Sequence, residues 1–339
     1  MPPNPLARHA PWRQIVILAV SLPVLLGLAL LAFLWPAART APRDLPIGVA
    51  GNGPIVSAAG AGLAQHGFAV TSYPDRSAAE AAIRDRDVYG AVLPGAGATT
   101  VLVASAASPA VAADLSEVAS ATHGPVHVDD IVPLSAGDPR GTVLASAVLP
   151  LVLGSEIVAV AVAVLAGMRP AARQIAALLV GAATTACAAY AIEQWWLGAL
   201  PGGGGVTWAV LALAVFAISA TTAGMYELIG LGGIGLTAAV MIFLGNAFSG
   251  VSSAPELLPT PAGALGRWLP PGAAGNLLRS TAYFSGHGGA QPLVALVAWS
   301  VFGMVAIAVG HRRHRASAPV PGRHAIEYAS ADELAPAAR

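Results

Sequence analysis

Two carboxylic acids stand where a soluble protein would have no reason to put them. Glu156 lies near the middle of the apolar run 142–167, directly after Ser155, and Glu193 lies near the end of the apolar run 174–197. An ionisable side chain in such a setting is a candidate for proton or cation handling, because its charge is costly there unless a partner or water compensates it. Glu156 is therefore a candidate transport residue; its plain alternative is a protonated acid hydrogen-bonded to a neighbouring helix. Glu193, two residues before the Trp195–Trp196 pair, reads as an interfacial residue. Asn246, near the end of the run 228–249, reads as a helix-packing hydrogen bond. Other polar groupings offer less chemistry. His123 and His127 are four apart, but Gly124–Pro125 between them rules out a helical metal face. Asp129, Asp130 and Asp138 read as a solvated loop. The chain has no GxSxG or HExxH motif and no glycosidase-like pairing of carboxylates, so binding or gating is expected rather than catalysis, and neither cofactor nor metal is expected. An enzyme is the class the sequence supports least.

The elements that position these residues follow from hydrophobicity. Of 339 residues, 56% are hydrophobic and 10% charged, and the mean hydropathy is +0.69. So little charge cannot cover a soluble surface of this size. Apolar runs at 15–36, 142–167, 174–197, 206–226, 228–249 and 292–310 are each long enough, at about 1.5 Å per residue, to cross about 30 Å of hydrocarbon. The reading is an α-helical polytopic membrane protein with six transmembrane helices. Arg8 and Arg13 precede the first run, Arg169 and Arg173 flank the link between the second and third, and Arg312, Arg313 and Arg315 follow the last. This bias puts both termini in the cytoplasm. With no cleavage-site pattern after its long apolar stretch, the first run reads as an uncleaved anchor. The expected partition is a cytoplasmic N-terminus (1–13), helix 1 (14–36), an extracytoplasmic domain (37–141), a five-helix membrane domain (142–310) with a Pro-rich outer loop (251–291), and a disordered cytoplasmic tail (311–339).

The outer insert reads as a small α/β domain. Strands are expected at 47–51, 68–73, 88–93 and 99–105, the last two as a hairpin across "PGAGA". Helices are expected from Pro54 to His66 with Gly67 as the C-terminal stop, from a Ser77/Glu80 capping box through Arg86, and from Ser108–Pro109 to about Ala121. Cys187 is the lone cysteine and excludes an intrachain disulfide. The "GLGGIG" at 230–235, with Gly181, reads as close helix packing rather than a phosphate loop.

The most unusual segment is "LLPTPAGALGRWLPPGAA" at 257–274. Pro259, Pro261, Pro270 and Pro271 are expected to break helix at intervals, while Leu265, Trp268 and Leu269 make one short apolar face. With "LGNAFSGVSSAPE" before it and "GNLLRSTAYFSG" after it, the segment resembles the outer loop before the last helix of the ABC-type exporter permease superfamily, in particular the phage-infection-protein (Pip)-like membrane proteins. "AAIRDRDVYGAVLPG" at 81–95 is similar to the part of that group's outer domain where a helix leads into a strand. The resemblance covers 12–310 in architecture and is motif-specific over 81–95 and 245–284. It implies a re-entrant or interfacial hairpin that lids the bundle, with Trp268 anchored at the headgroups and Pro259, Pro270 and Pro271 as gating candidates. It implies export of a hydrophobic or amphipathic compound by a homodimer in the bacterial cytoplasmic membrane.

The chain contains no Lys, and a P-loop needs one to reach the nucleotide phosphates. A pump of this kind would depend on a separate ATPase subunit, with Arg169, Arg173 and Glu227 as candidate coupling residues. Two segments depart from the permease pattern: the link 166–173 is short, and Pro2, Pro3, Pro5 and Pro11 interrupt the N-terminus. The alternatives are a membrane scaffold or receptor-like protein whose outer domain binds a partner or envelope component, and a proton-coupled transporter using Glu156. The expected partners are membrane lipid, a second copy and an ATPase subunit, and not nucleic acid.

Overall fold

The computed structural model describes residues 12–95, 97–120, 125–166 and 170–316. His123, Arg169 and the segments 1–11 and 317–339 lie outside the described residues. Among the described residues, five helices are long and apolar enough to cross a bilayer: Ala19–Ala38, Thr142–Leu165, Ala171–Trp196, Gly204–Ile229 and Ala290–His314. The chain is thus a polytopic helical membrane protein carrying a small sheet domain. The expected span at 228–249 is shorter. Residues Leu231–Gly245 form an apolar helix of about 22 Å at 1.5 Å per residue, against about 30 Å for a hydrocarbon core. Gly230, at φ 66°, separates it from the preceding helix, and its second half, Ala239–Gly245, widens to a π-helix.

The insert expected to lie outside, called the outer domain after that expectation, forms between α1 (Trp12–Ala38) and α5 (Thr142–Ala166). Its strands β1 (Leu45–Ala50), β2 (Phe68–Tyr73), β3 (Gly90–Leu93), β4 (Thr99–Val103) and β5 (Val126–Asp130) form one sheet in the order β2-β1-β3-β4-β5. All neighbours are parallel except the antiparallel β3–β4 pair, which is the expected hairpin. Period-two alternation sends Ile47, Val49, Val92, Val101 and Val103 to one face, where α2 (Pro54–Gln65) and α4 (Pro109–Ser120) supply Leu63, Val111 and Leu115. Ala50, Ala91 and Leu102 point to the other face, against Ala79, Ala82 and Ile83 of α3 (Arg76–Arg84). Because both faces are covered, the central strands read as continuous apolar runs.

Three local expectations change. Asp75, not Ser77, caps α3: its carboxylate accepts from the Ala78 amide at 2.9 Å, and Glu80 instead pairs with Arg76 and Arg84. Residues 126–130, expected as loop, are the edge strand β5. There Asp130 accepts from the Ser105 amide and Asp129 pairs with Arg76. Asp138 is buried rather than solvated. Its two oxygens accept from the Thr142 and Val143 amides, each at 2.9 Å, and so cap α5.

In the membrane part, α7 (Gly204–Ile229) is central, with 72% of its apolar window buried. Around it pack α5, α6 (Ala171–Tyr190), α10 (Pro270–Tyr283) and α11 (Ala290–Ala316). The short α8 (Leu231–Ala238) folds back on the end of α7. A Cβ on Gly233 would collide with the Met225 carbonyl, and one on Gly181 with Val158, so these glycines serve close packing. α1 stands apart, touching the rest through the ring pairs Phe33–Phe243 and Trp35–Phe248. α11 continues to Ala316, so residues 311–316 are helical, not part of a disordered tail.

The Pro-rich loop is where structure and expectation differ most. It is built of a 3-10 turn (Pro255–Leu257), α9 (Ala262–Gly266) and α10. Pro270 and Pro271 do not break a helix. They open one, in the first turn, where the missing amide costs nothing. Ala254 and Leu257 insert into the apolar core beneath β1 and α4, and Phe284, just past α10, enters the core of the opposite face. The outer domain is therefore completed by residues from the far end of the chain. Leu257, 3% exposed, is the wedge. Leu257→Ala is expected to lower the stability of the outer domain by about 2–5 kcal/mol, read as an earlier thermal transition of the detergent-solubilised protein.

Candidate functional site

Where the outer domain meets the Pro-rich loop, four polar side chains converge. Glu256 follows Pro255 in the 3-10 turn, 20% exposed at its side chain. One of its oxygens, Oε2, accepts from the Tyr89 hydroxyl at 2.9 Å. The other lies 3.5 Å from Nη1 of Arg267. Burial pushes the Tyr89 hydroxyl well above the usual phenol range, and the neighbouring Glu256 carboxylate pushes it further. The phenol stays protonated and donates. Two backbone bonds continue the joint: the Ala41 amide donates to the Leu257 carbonyl and the Arg43 amide to the Glu256 carbonyl, each at 3.0 Å.

Arg86 sits beside this pair. Its φ of 62° follows the end of α3 and turns the chain into β3. Its Nη1 donates to the Asn276 carbonyl at 3.3 Å, and its guanidinium lies 5.1 Å from the Phe284 ring centroid. Burial lowers its pKa, with Tyr89 and Glu256 acting in the opposite sense, yet a guanidinium remains charged. Arg279, 4% exposed, donates to the Val251 carbonyl at 2.9 Å. Arg86, Tyr89, Glu256 and Arg267 border a cavity of about 220 Å³, with Asn276 and Gln291 also in its lining. None of these six was singled out by sequence reasoning. The available signal was that 81–95 and 245–284, the two segments with distinctive motifs, meet here.

A second concavity begins one residue further along. Leu265, Trp268 and Leu269 of the loop, with Leu244 and Phe248, face Ala295, Ala298 and Trp299 of α11 across an apolar groove of about 350 Å³. The expected apolar face of Leu265, Trp268 and Leu269 is thus present. The Trp299 indole donates to the Trp268 carbonyl at 2.8 Å, and Gln291 to the Arg267 carbonyl at 3.1 Å. These two rungs clamp the loop to α11. The clamp and the turns below it demand small residues. A Cβ on Gly266 would strike the Phe248 carbonyl, and one on Gly263 the Pro255 carbonyl.

The remaining candidates are dispersed. Glu156 is buried between α5 and α7. Its Oε1 accepts from the Thr222 hydroxyl at 3.1 Å, while Oε2 has no partner among the described residues. Glu193 lies in a π-helical turn, Ala191–Trp196, and is 5% exposed. It is thus packed inside the protein, beside the exposed Trp195–Trp196 pair, and its Oε2 also lacks a partner among the described residues. Asn246 serves through its carbonyl, which accepts from Ser249, and the expected side-chain bond between helices is not formed among the described residues. Pro259 is buried and its carbonyl caps α9 through the Ala262 amide at 2.7 Å. Pro271 packs near Gly245. Of the coupling candidates, Arg173 is exposed on α6. Glu227, at the other end of the bundle from the loop, is held within the chain. Gln174 donates to it at 3.1 Å, and ring nitrogens of His311 and His314 lie 3.8 Å from its other oxygen.

Comparison with protein-family models, with curated proteins and with solved structures gave no match for this chain. The functional reading rests on the geometry and on the sequence resemblance. For the polar joint, a double-mutant cycle is decisive. Tyr89→Phe and Glu256→Gln are each expected to destabilise the docked domain, with a coupling of about 1–2 kcal/mol between them. Independent, additive effects in thermal unfolding would dissolve the pair.

Proposed function

We propose that this protein is a permease-like membrane subunit that exports a hydrophobic or amphipathic compound, working as a dimer with a separate ATPase. The observation that carries the reading is the apolar groove between Trp268 and Trp299, which opens on the exposed apolar side of the last helix. A groove in that position admits a compound from the lipid phase rather than from water. The loop that forms its wall is packed into both the bundle and the outer domain, so a shift of α10 against α7 changes groove and domain together. This supports a gating role for the segment that includes Pro259, Trp268, Pro270 and Pro271. α1, exposed along nearly all its length, offers surface for lipid or a second copy. The chain has no P-loop lysine, so work from ATP would have to reach it from another subunit. Glu227 is engaged by Gln174, His311 and His314, which leaves the exposed Arg173 as the more accessible of the two described contact candidates.

A receptor-like reading is favoured by a different feature. The outer domain carries a concavity of about 580 Å³, the walls of which include Ile55, Leu63, His66 and Val118. Purification from native membrane in mild detergent separates the two readings. A stoichiometric ATPase in the eluate is the expected result. A preparation that stays free of ATPase but retains an envelope component, and loses it on deletion of residues 40–140, would replace the permease with the receptor.

A further inference from the structure

The polar cavity and the apolar groove adjoin at residues 267 and 268 and within one turn of α11, and reading them as one amphipathic site deepens the exporter reading and rests on it. Arg267 and Trp268 are consecutive. The first lines the polar cavity and the second the groove. On α11 the same change falls within one turn, from Pro292 in the cavity to Ala295 in the groove. Both backbone carbonyls of the 267–268 step are taken by Gln291 and Trp299, which fixes the boundary between head and tail. The apolar lining continues from Ala298 and Trp299 to Phe302 in an adjoining hollow. From Pro292 to Phe302 is about 15 Å of helix, half of a hydrocarbon core about 30 Å thick. That is the depth of one leaflet.

Charge selects the head. Two guanidinium groups and one carboxylate line the cavity. The carboxylate is already engaged on both oxygens, by Tyr89 and Arg267. Arg86 has no carboxylate within ion-pairing distance among the described residues; the contacts it makes are a carbonyl and a ring face. The cavity therefore presents positive charge with donors in excess of acceptors, a match for a phosphate or carboxylate head. A cationic or zwitterionic head would find its ammonium partner, Glu256, occupied.

We infer that the joint between the outer domain and the Pro-rich loop binds one amphipathic lipid with an anionic headgroup, its head on Arg86 and Arg267 and its chain along Trp268, Ala298 and Phe302. The test is native mass spectrometry of the full chain, delipidated in detergent and titrated with phosphatidylglycerol or phosphatidylcholine. It needs neither the ATPase nor transport, so its outcome is separate from that of the purification experiment. Expected is one phosphatidylglycerol retained at roughly tenfold lower concentration than phosphatidylcholine. Arg267→Gln, at a half-exposed position, should reduce that preference several-fold and the pair with Arg86→Gln should abolish it. Ala298→Trp, which fills the groove, should weaken both lipids. Inorganic phosphate alone should not displace the lipid. Equal retention of the two lipids, a preference that survives the Arg267→Gln variant, or full displacement by inorganic phosphate would each overturn the inference. So would an Ala298→Trp chain that changes from dimer to monomer with unaltered lipid retention, since the groove would then belong to a second copy.

Discussion

A Pro-rich segment can hydrogen-bond itself only in short turns such as Pro255–Leu257 and α9, and residues 251–269 lie against an apolar bundle where the carbonyls left over are costly to leave unpaired. The outer domain meets that requirement. The Ala41 and Arg43 amides take the Leu257 and Glu256 carbonyls, and the Arg43 guanidinium takes Leu257 again at 2.8 Å. In return the segment gives the domain Ala254 and Leu257 for one apolar face and Phe284 for the other. The domain has no disulfide to brace it, so its stability depends on its core being closed. Here its core is completed by a segment more than a hundred residues downstream. The rest of the structure follows from that exchange: the polar joint and its cavity, the apolar groove beside it, and the continuity between outer domain and bundle.

Polar groups elsewhere in the bundle obey the same accounting with less success. Glu227 is surrounded by a glutamine and two histidines and closes the end of α7 against α11. Glu156 has one partner, Thr222, and Glu193 sits in a π-helical turn, a local widening found often at functional sites. Each of the two leaves one carboxylate oxygen without a partner among the described residues. A buried oxygen of this kind costs stability unless a proton, water or ligand uses it. The two acids belong to different helices, α5 for Glu156 and the turn after α6 for Glu193.

Much of the outer domain was legible because its signals are local. The strand at 68–73 falls where its alternation puts it, Gly67 takes the left-handed stop after α2 at φ 84°, and Ser108 caps α4 through the Val111 amide. The edge strand β5 escaped because "VHVDD" is half polar, and its conformation is imposed by pairing to β4 rather than by its own pattern. The loop prolines misled for a related reason. Proline forbids helix interiors but favours first turns, and only the packed structure tells which applies to Pro270 and Pro271. Residues 228–249 read as a full span because Gly230 and the π-helical turn leave no mark in hydropathy. The site was the least legible part. Arg86 and Glu256 are separated by 170 positions, and no spacing rule connects them.

Hydrogen exchange on the full chain in detergent is the most direct test of this account. It predicts that the amides of Ala41, Arg43, Leu257 and Leu258 are protected to a similar degree as the outer sheet and open together with it, since they belong to one cooperative unit. Exchange of residues 254–258 at the rate of an open loop, while β1 and β3 stay protected, would mean that the Pro-rich segment only rests against the domain, and would contradict the account.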